Sequence, residues 1–208
     1  MRVDRKVRLM AMSTTRSGRP RSFDEQDVIE RALNVFWKHG SSDTTTRVLE
    51  RELGITQSSI YNAFGSKQGL LDRALDRYLQ QIDEEVVAPL DRPGAAGPEL
   101  FDFVDRLMRW IGEPDRPGCL LLNMIGERST KNPELVARSQ AYRDRLRVAF
   151  VGALEPYGVD DAHMRAEVLL ASVLGINISA YGGADAKERE ALANGLRSQL
   201  KAWTTVPA

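Results

Sequence analysis

An all-α fold is predicted by three features of this 208-residue chain. Apolar residues recur at helical spacing in nearly every segment, and period-two alternation is almost absent. Glycine, proline or a small polar residue also stands where each run should start or stop. With 42% hydrophobic residues the chain can bury a core, and its length suits one large or two small domains.

Helix one is read from Asp24 to His39, where Val28, Ile29, Ala32, Leu33, Val35, Phe36 and Trp37 form the apolar stripe. Ser22 or Asp24 caps its start, Asp24, Glu25 and Asp27 suit the positive end of the dipole, and Gly40 stops it. A second helix runs from Thr45 to Leu53 and ends at Gly54. After only Gly54 and Ile55, Thr56 caps a third that extends to Phe64. Ser66 caps a long helix through Leu90, and the Gly- and Pro-rich stretch from Pro89 to Pro98 is the clearest break in the chain. Further helices are read at 98–111, 118–127, 133–154, 162–180 and 186–203, about nine or ten in all. The domain boundaries expected from this reading are a basic arm (1–21), an N-terminal three-helix head (22–67), a linking helix (66–90) and a C-terminal helical domain (68–208).

Total charge identifies no partner, because 29 basic and 29 acidic residues cancel. Its distribution is uneven: up to Phe23 seven bases face the single acid Asp4, and the remainder is net acidic. Met10 and Met12 are alternative translation starts within that arm. A single cysteine, Cys119, leaves no intrachain disulfide and fits a reducing cytosol. With no apolar run of membrane-spanning length and no signal peptide, the protein is expected to be cytoplasmic and off the membrane. His39 and His163 form no metal-ligand spacing with Cys119, and no Walker loop, dinucleotide fingerprint or nucleophile elbow occurs. No enzyme, metal or cofactor is expected.

Two short helices joined by a glycine turn form a helix-turn-helix pattern. A helix laid in the major groove presents its N-terminal side chains to base edges, so compact polar residues belong there. Gln57 suits the N6 and N7 edge of adenine, Ser58 and Ser59 suit bases or phosphates, and Thr56 both caps the helix and reaches a phosphate. Tyr61, Asn62 and Lys67 follow at positions suited to clamping phosphates, while Arg16, Arg19 and Arg21 can reach the minor groove or backbone. Leu53, Ile60 and Phe64 belong to the core.

The run Leu53-Gly54-Ile55-Thr56-Gln57-Ser58-Ser59-Ile60-Tyr61-Asn62-Ala63-Phe64-Gly65-Ser66-Lys67, preceded by Thr44-Thr45, resembles the N-terminal domain of TetR/AcrR-family regulators. The resemblance covers about residues 18 to 75 and includes the Gly18-Arg19-Pro20-Arg21 arm, Phe36 and Gly40. Val48 and Glu50 depart from it, standing where an acid and an alanine are more usual. It implies that Thr44 and Thr45 contact the DNA backbone, where hydroxyls and helix N–H groups suit phosphate. It further implies a repressor that grips a palindromic double-stranded operator as a homodimer and leaves it when a small molecule binds. The last two long helices of each subunit would build the interface, with Val168, Ala171, Ser172, Gly175, Ile178, Leu192, Leu196 and Leu200 as candidates.

Phe103, Leu107, Trp110, Cys119, Leu122, Asn123, Tyr142 and Leu146 are the candidates for an effector pocket, although any helical core shows the same apolar stripe. Cys119 follows Gly118 at a helix start, where the dipole favours thiolate, so an oxidant or electrophile sensor is an alternative reading, as is an activator. The coupling expected is a tilt of the rigid helix 66–90 that changes the separation of the two recognition helices.

Overall fold

The computed structural model describes residues 23–113, 118–126 and 132–205, and among these every regular element is helical. The α-helices are α1 (Glu25–Asp43), α2 (Thr46–Leu53), α3 (Gln57–Phe64), α4 (Lys67–Ile82), α5 (Gly97–Ile111), α6 (Leu120–Gly126), α7 (Pro133–Leu154), α8 (Val159–Tyr181) and α9 (Ala186–Thr204). Arg16, Arg19, Arg21 and the alternative start methionines lie outside the described residues.

Local capping sets most helix starts. The Asp24 carboxylate accepts from the Gln26 N–H at 2.8 Å, and the Thr45, Thr56 and Ser66 hydroxyls accept from Val48, Ser59 and Gly69 N–H groups at 3.0–3.2 Å. Asn132 and Asp185 do the same for α7 and α9. Gly40, at φ 75°, breaks α1 before its last short turn, as expected of a stop signal.

The head is built on α1. Its buried face (Val28, Ala32, Leu33, Phe36) packs against α2 and against α4, which contributes Leu70, Leu71, Ala74 and Leu75, and α3 packs in turn on α2 and α4. Polar contacts pin α1 to α4 as well: Glu30 accepts from Arg77 Nε at 2.9 Å and from Gln81 Nε2 at 2.8 Å. Trp37 stacks edge-on against Tyr78, ring centroids 5.2 Å apart, and Trp110 of α5 completes the aromatic group at 6.2 Å from each.

The linking helix does not continue as an α-helix to Leu90. Beyond Ile82 it widens into a π-helical turn, Asp83–Val87, and then tightens into a 3-10 turn, Ala88–Asp91. Val86, Val87 and Leu90 stay buried throughout. Asp83, in the π turn, reaches Arg145 of α7 at 3.2 Å.

The remaining helices form one layered bundle in which α7 packs on α8, and α9 packs on α5 and α8. Among the described residues no helix is long and apolar enough to cross a membrane.

Candidate nucleic-acid interface

The geometry at α2 and α3 follows from four residues. Gly54 adopts a left-handed conformation (φ 67°), and its N–H closes on the Glu50 carbonyl at 3.0 Å, so the chain reverses within two residues. Leu53 and Ile60, both fully buried, then hold α2 and α3 against the same core. The Glu50 side chain crosses the turn and accepts from the Gln57 N–H at 3.3 Å, placing a carboxylate at the positive end of α3. This departure from the family pattern therefore has a local role in this chain, holding the start of α3.

On α3 the inward side is Ile60, flanked by half-buried Ala63 and Phe64. Gln57, Ser58, Tyr61 and Asn62 are exposed, and their spacing puts them on one face. At the N-terminal end the Thr56 hydroxyl lies 2.9 Å from both the Ser58 and Ser59 hydroxyls while capping the helix. Ser59 is half-buried, so Gln57 and Ser58 stand furthest forward.

Two expected contacts are placed differently. Thr44 is fully buried and its hydroxyl donates to the Gly40 carbonyl at 2.5 Å. It closes the end of α1 instead of opening α2, so its side chain cannot offer a phosphate contact. Thr45, exposed as the cap of α2, keeps that possibility. The half-buried Lys67 ammonium donates to the Ser41 carbonyl at 2.8 Å, which ties α4 to the end of α1 and leaves it two further donors. Sequence reading passed over Arg47, which is exposed in the first turn of α2. A lone base beside a capped helix start was the available signal.

A second candidate site lies in the bundle. Phe103, Leu107, Cys119, Leu122, Tyr142 and Leu146 line a small, largely apolar cavity of about 30 Å³, together with Ile82 and Val86 from the end of the linking segment. Trp110 and Asn123 do not line it. Trp110 shares its helical face with Phe103 and Leu107, but at that end of α5 the neighbours are Trp37 and Tyr78. Asn123 is buried at 8% exposure elsewhere in α6.

Cys119 is buried and accepts a hydrogen bond from the Tyr78 hydroxyl at 3.1 Å. Burial pushes its thiol above the ordinary value of 9.0, outweighing the hydrogen bonds from Tyr78 and from the N–H groups of Leu122 and Leu121 that favour thiolate. The helix-start argument for a reactive thiolate is thereby corrected: desolvation exceeds the dipole.

Of the candidate interface residues, Val168, Ala171, Gly175 and Ile178 lie on an exposed face of α8, Ser172 sits half-buried beside them, and Leu192 is exposed on α9. Leu196 and Leu200 are corrected to core positions, 3% and 0% exposed. The inward stripe of α9 is Ala193, Leu196 and Leu200 (i, i+3, i+7), and Leu192 lies beside it, outside the core. Met164 and Tyr181, at 63% and 54% exposure, extend the α8 face at either end and were not anticipated.

Comparison with known proteins agrees with this picture. Residues 28–74 match the model of the bacterial regulatory proteins of the tetR family. The HTH-type transcriptional repressor ComR of Escherichia coli is 26% identical over 197 residues, 89% of this chain and 91% of that protein. SCO4454, a TetR-family transcriptional regulator from Streptomyces coelicolor, superposes with a TM-score of 0.77 at 19% identity over 86% of this chain and 95% of its own. The TetR-family regulator CifR, a cysteine mutant complexed with 26-bp double-strand operator DNA, gives a TM-score of 0.72 at 26% identity, over 89% of this chain and all of its own.

Proposed function

The chain belongs to the TetR family of DNA-binding transcriptional regulators, and on that premise we propose that it is a ligand-responsive repressor that binds a palindromic operator as a homodimer. The observation that carries this reading is the outer face of α3. Gln57, Ser58, Tyr61 and Asn62 are exposed together on a helix whose start is capped by Thr56 and whose inner face is locked by Ile60. Such a helix can be laid in the major groove without rearrangement. A repressor among the relatives and a structural relative in complex with its operator support the direction of the effect and the mode of docking.

The dimer is supported by the stripe Met164, Val168, Ala171, Gly175 and Ile178, which repeats at intervals of four and three residues along α8 and is left uncovered by its own subunit. Small residues at Ala171 and Gly175 let a second helix come close, and two-fold symmetry suits two half-sites one helical turn apart. Effector response is supported by the cavity's position. Ile82 and Val86 form part of its wall, and the segment carrying them leads directly into α4, which is clamped to α1 by Glu30, Arg77 and Gln81. Expansion of the cavity therefore pushes on the helix that holds the head.

The test is fluorescence anisotropy on the protein's own upstream DNA against a scrambled duplex. Gln57→Ala should weaken the preferred site by about 1–3 kcal/mol and narrow its advantage over the scrambled sequence. Tyr61→Ala should weaken both duplexes alike, as loss of a backbone contact does. Equal, weak binding of the unaltered protein to genomic fragments of every sequence would overturn the reading.

A further inference from the structure

The inner face of α7 carries an unusual combination for a core helix. Ser139, Tyr142, Arg143 and Leu146, spaced i, i+3, i+4 and i+7, all line the small cavity. The opposite walls are mostly apolar, from Phe103, Leu107 and Leu121 to Val173 and Leu174, with Cys119 and Asn177 as their polar members, and no Asp or Glu lines the cavity.

Arg143 differs from the other three arginines of α7. Arg138 pairs with Asp76 and Glu134, Arg145 with Asp83 and Asp91, and Arg147 with Asp144 and Glu167. Arg143 has no carboxylate partner among the described residues, and its one hydrogen bond runs from Nε to the Ser139 carbonyl at 3.4 Å. A half-buried cation on the wall of an apolar cavity is costly unless an anion meets it. Beside it Ser139 and Tyr142 line the same cavity, and a hydroxyl of either can donate to a ligand oxygen.

Resting on the ligand-responsive reading above, we propose that the effector is a small monocarboxylate with a compact apolar body. Its carboxylate is held by Arg143 with Ser139 or Tyr142, and its hydrocarbon lies against Phe103, Leu107 and Leu121. One cation without a second favours a single negative charge over a phosphate dianion. At about 30 Å³ the cavity is smaller than any such acid. The acid therefore enters by displacing the half-buried wall at Leu122, Leu174 and Arg143, and it presses on Ile82 and Val86 as it does so.

The experiment is isothermal titration calorimetry on the full chain with two matched pairs, benzoate against benzamide and octanoate against octanol. Arg143→Gln is compared with Arg147→Gln, a surface control, and circular dichroism checks that both variants fold. The carboxylate of at least one pair should bind about 10- to 100-fold more tightly than its neutral partner, as a charge-assisted hydrogen bond predicts. Arg143→Gln should bring the acid down to the neutral partner's affinity, and Arg147→Gln should change neither. Equal affinity of acid and neutral partner, or acid binding untouched by Arg143→Gln, overturns the carboxylate class while leaving an effector pocket in place. Absence of binding by both acids at millimolar concentration also overturns it. Operator affinity measured in parallel separates the two readings. An acid that binds through Arg143 yet leaves operator affinity unchanged supports the ligand class and overturns the ligand-responsive repressor.

Discussion

At the scale of single residues, the pair Tyr78 and Cys119 joins the linking helix to the start of α6. Cys119 lines the cavity, while the Tyr78 hydroxyl that donates to its sulfur belongs to a ring packed edge-on against Trp37 of α1. Burial raises the Tyr78 phenol well above its ordinary value and raises the Cys119 thiol as well, so both stay protonated in the folded state. A thiol whose folded value exceeds its unfolded one contributes stability that is complete below the unfolded value and is lost as pH rises toward the folded one. With 9.0 as the ordinary value, that window opens near pH 9. Urea titrations between pH 8 and 10.5 should show wild type losing stability faster than Cys119→Ser, the extra slope approaching about 1.4 kcal/mol per pH unit. Parallel slopes would mean that the thiol ionises in the folded protein. Wild type should also react with a thiol reagent at pH 7 only once unfolded.

At the scale of elements, the angle between α3 and α4 depends on Gly69, in the first turn of α4. A Cβ there would lie 2.1 Å from the Phe64 carbonyl oxygen, a backbone atom that can move only if α3 moves. Gly69→Ala should therefore cost about 2 kcal/mol or more in urea unfolding and weaken operator binding, because the reading helix is displaced. Gly152→Ala, in α7 with nothing within 4 Å of the added carbon, should instead gain up to about 1 kcal/mol and leave DNA binding unchanged. Helix ends of this kind were legible in the sequence, since Asp24, Thr45, Thr56 and Ser66 act on N–H groups two or three residues away. The end of the linking helix was not. Val86, Val87 and Leu90 fit a regular apolar period, and the π turn arises from how that segment docks on α5 and α7. The exposed residues of α3 were legible because a whole motif marked them, whereas burial of Thr44 depended on the Gly40 carbonyl turning back to meet its hydroxyl. The cavity was half legible. Its apolar wall follows the helical period, but Ile82, Val86 and the inward turn of Arg143 come from packing between distant segments.

At the scale of the whole molecule, α8 presents two apolar sides. Ala162, Ala166, Leu169, Leu170, Val173 and Ile176 bury one side of it within the subunit, while Met164, Val168, Ala171, Gly175 and Ile178 remain on the other. Large apolar side chains arranged in one stripe mark an interaction surface, and a self-complementary helix face is what a two-fold interface requires. Ile178 is 60% exposed in the single chain, so Ile178→Glu should leave the subunit's own core intact. Placed at a two-fold contact, the same change brings like charges together and buries them without partners. Light scattering coupled to gel filtration should then report a single-chain mass for Ile178→Glu and twice that mass for wild type. The consequence for DNA follows from effective concentration. Once one head is bound, its tethered partner meets the second half-site at millimolar local concentration, and a separated subunit loses that advantage. Affinity for a two-half-site operator should fall by about 10²-fold or more, while affinity for an isolated half-site should barely change. A variant that remains dimeric would remove α8 from the interface. A variant that becomes monomeric yet keeps full operator affinity would show instead that each head reads its half-site alone, and separation of the heads could then no longer be the step through which an effector acts.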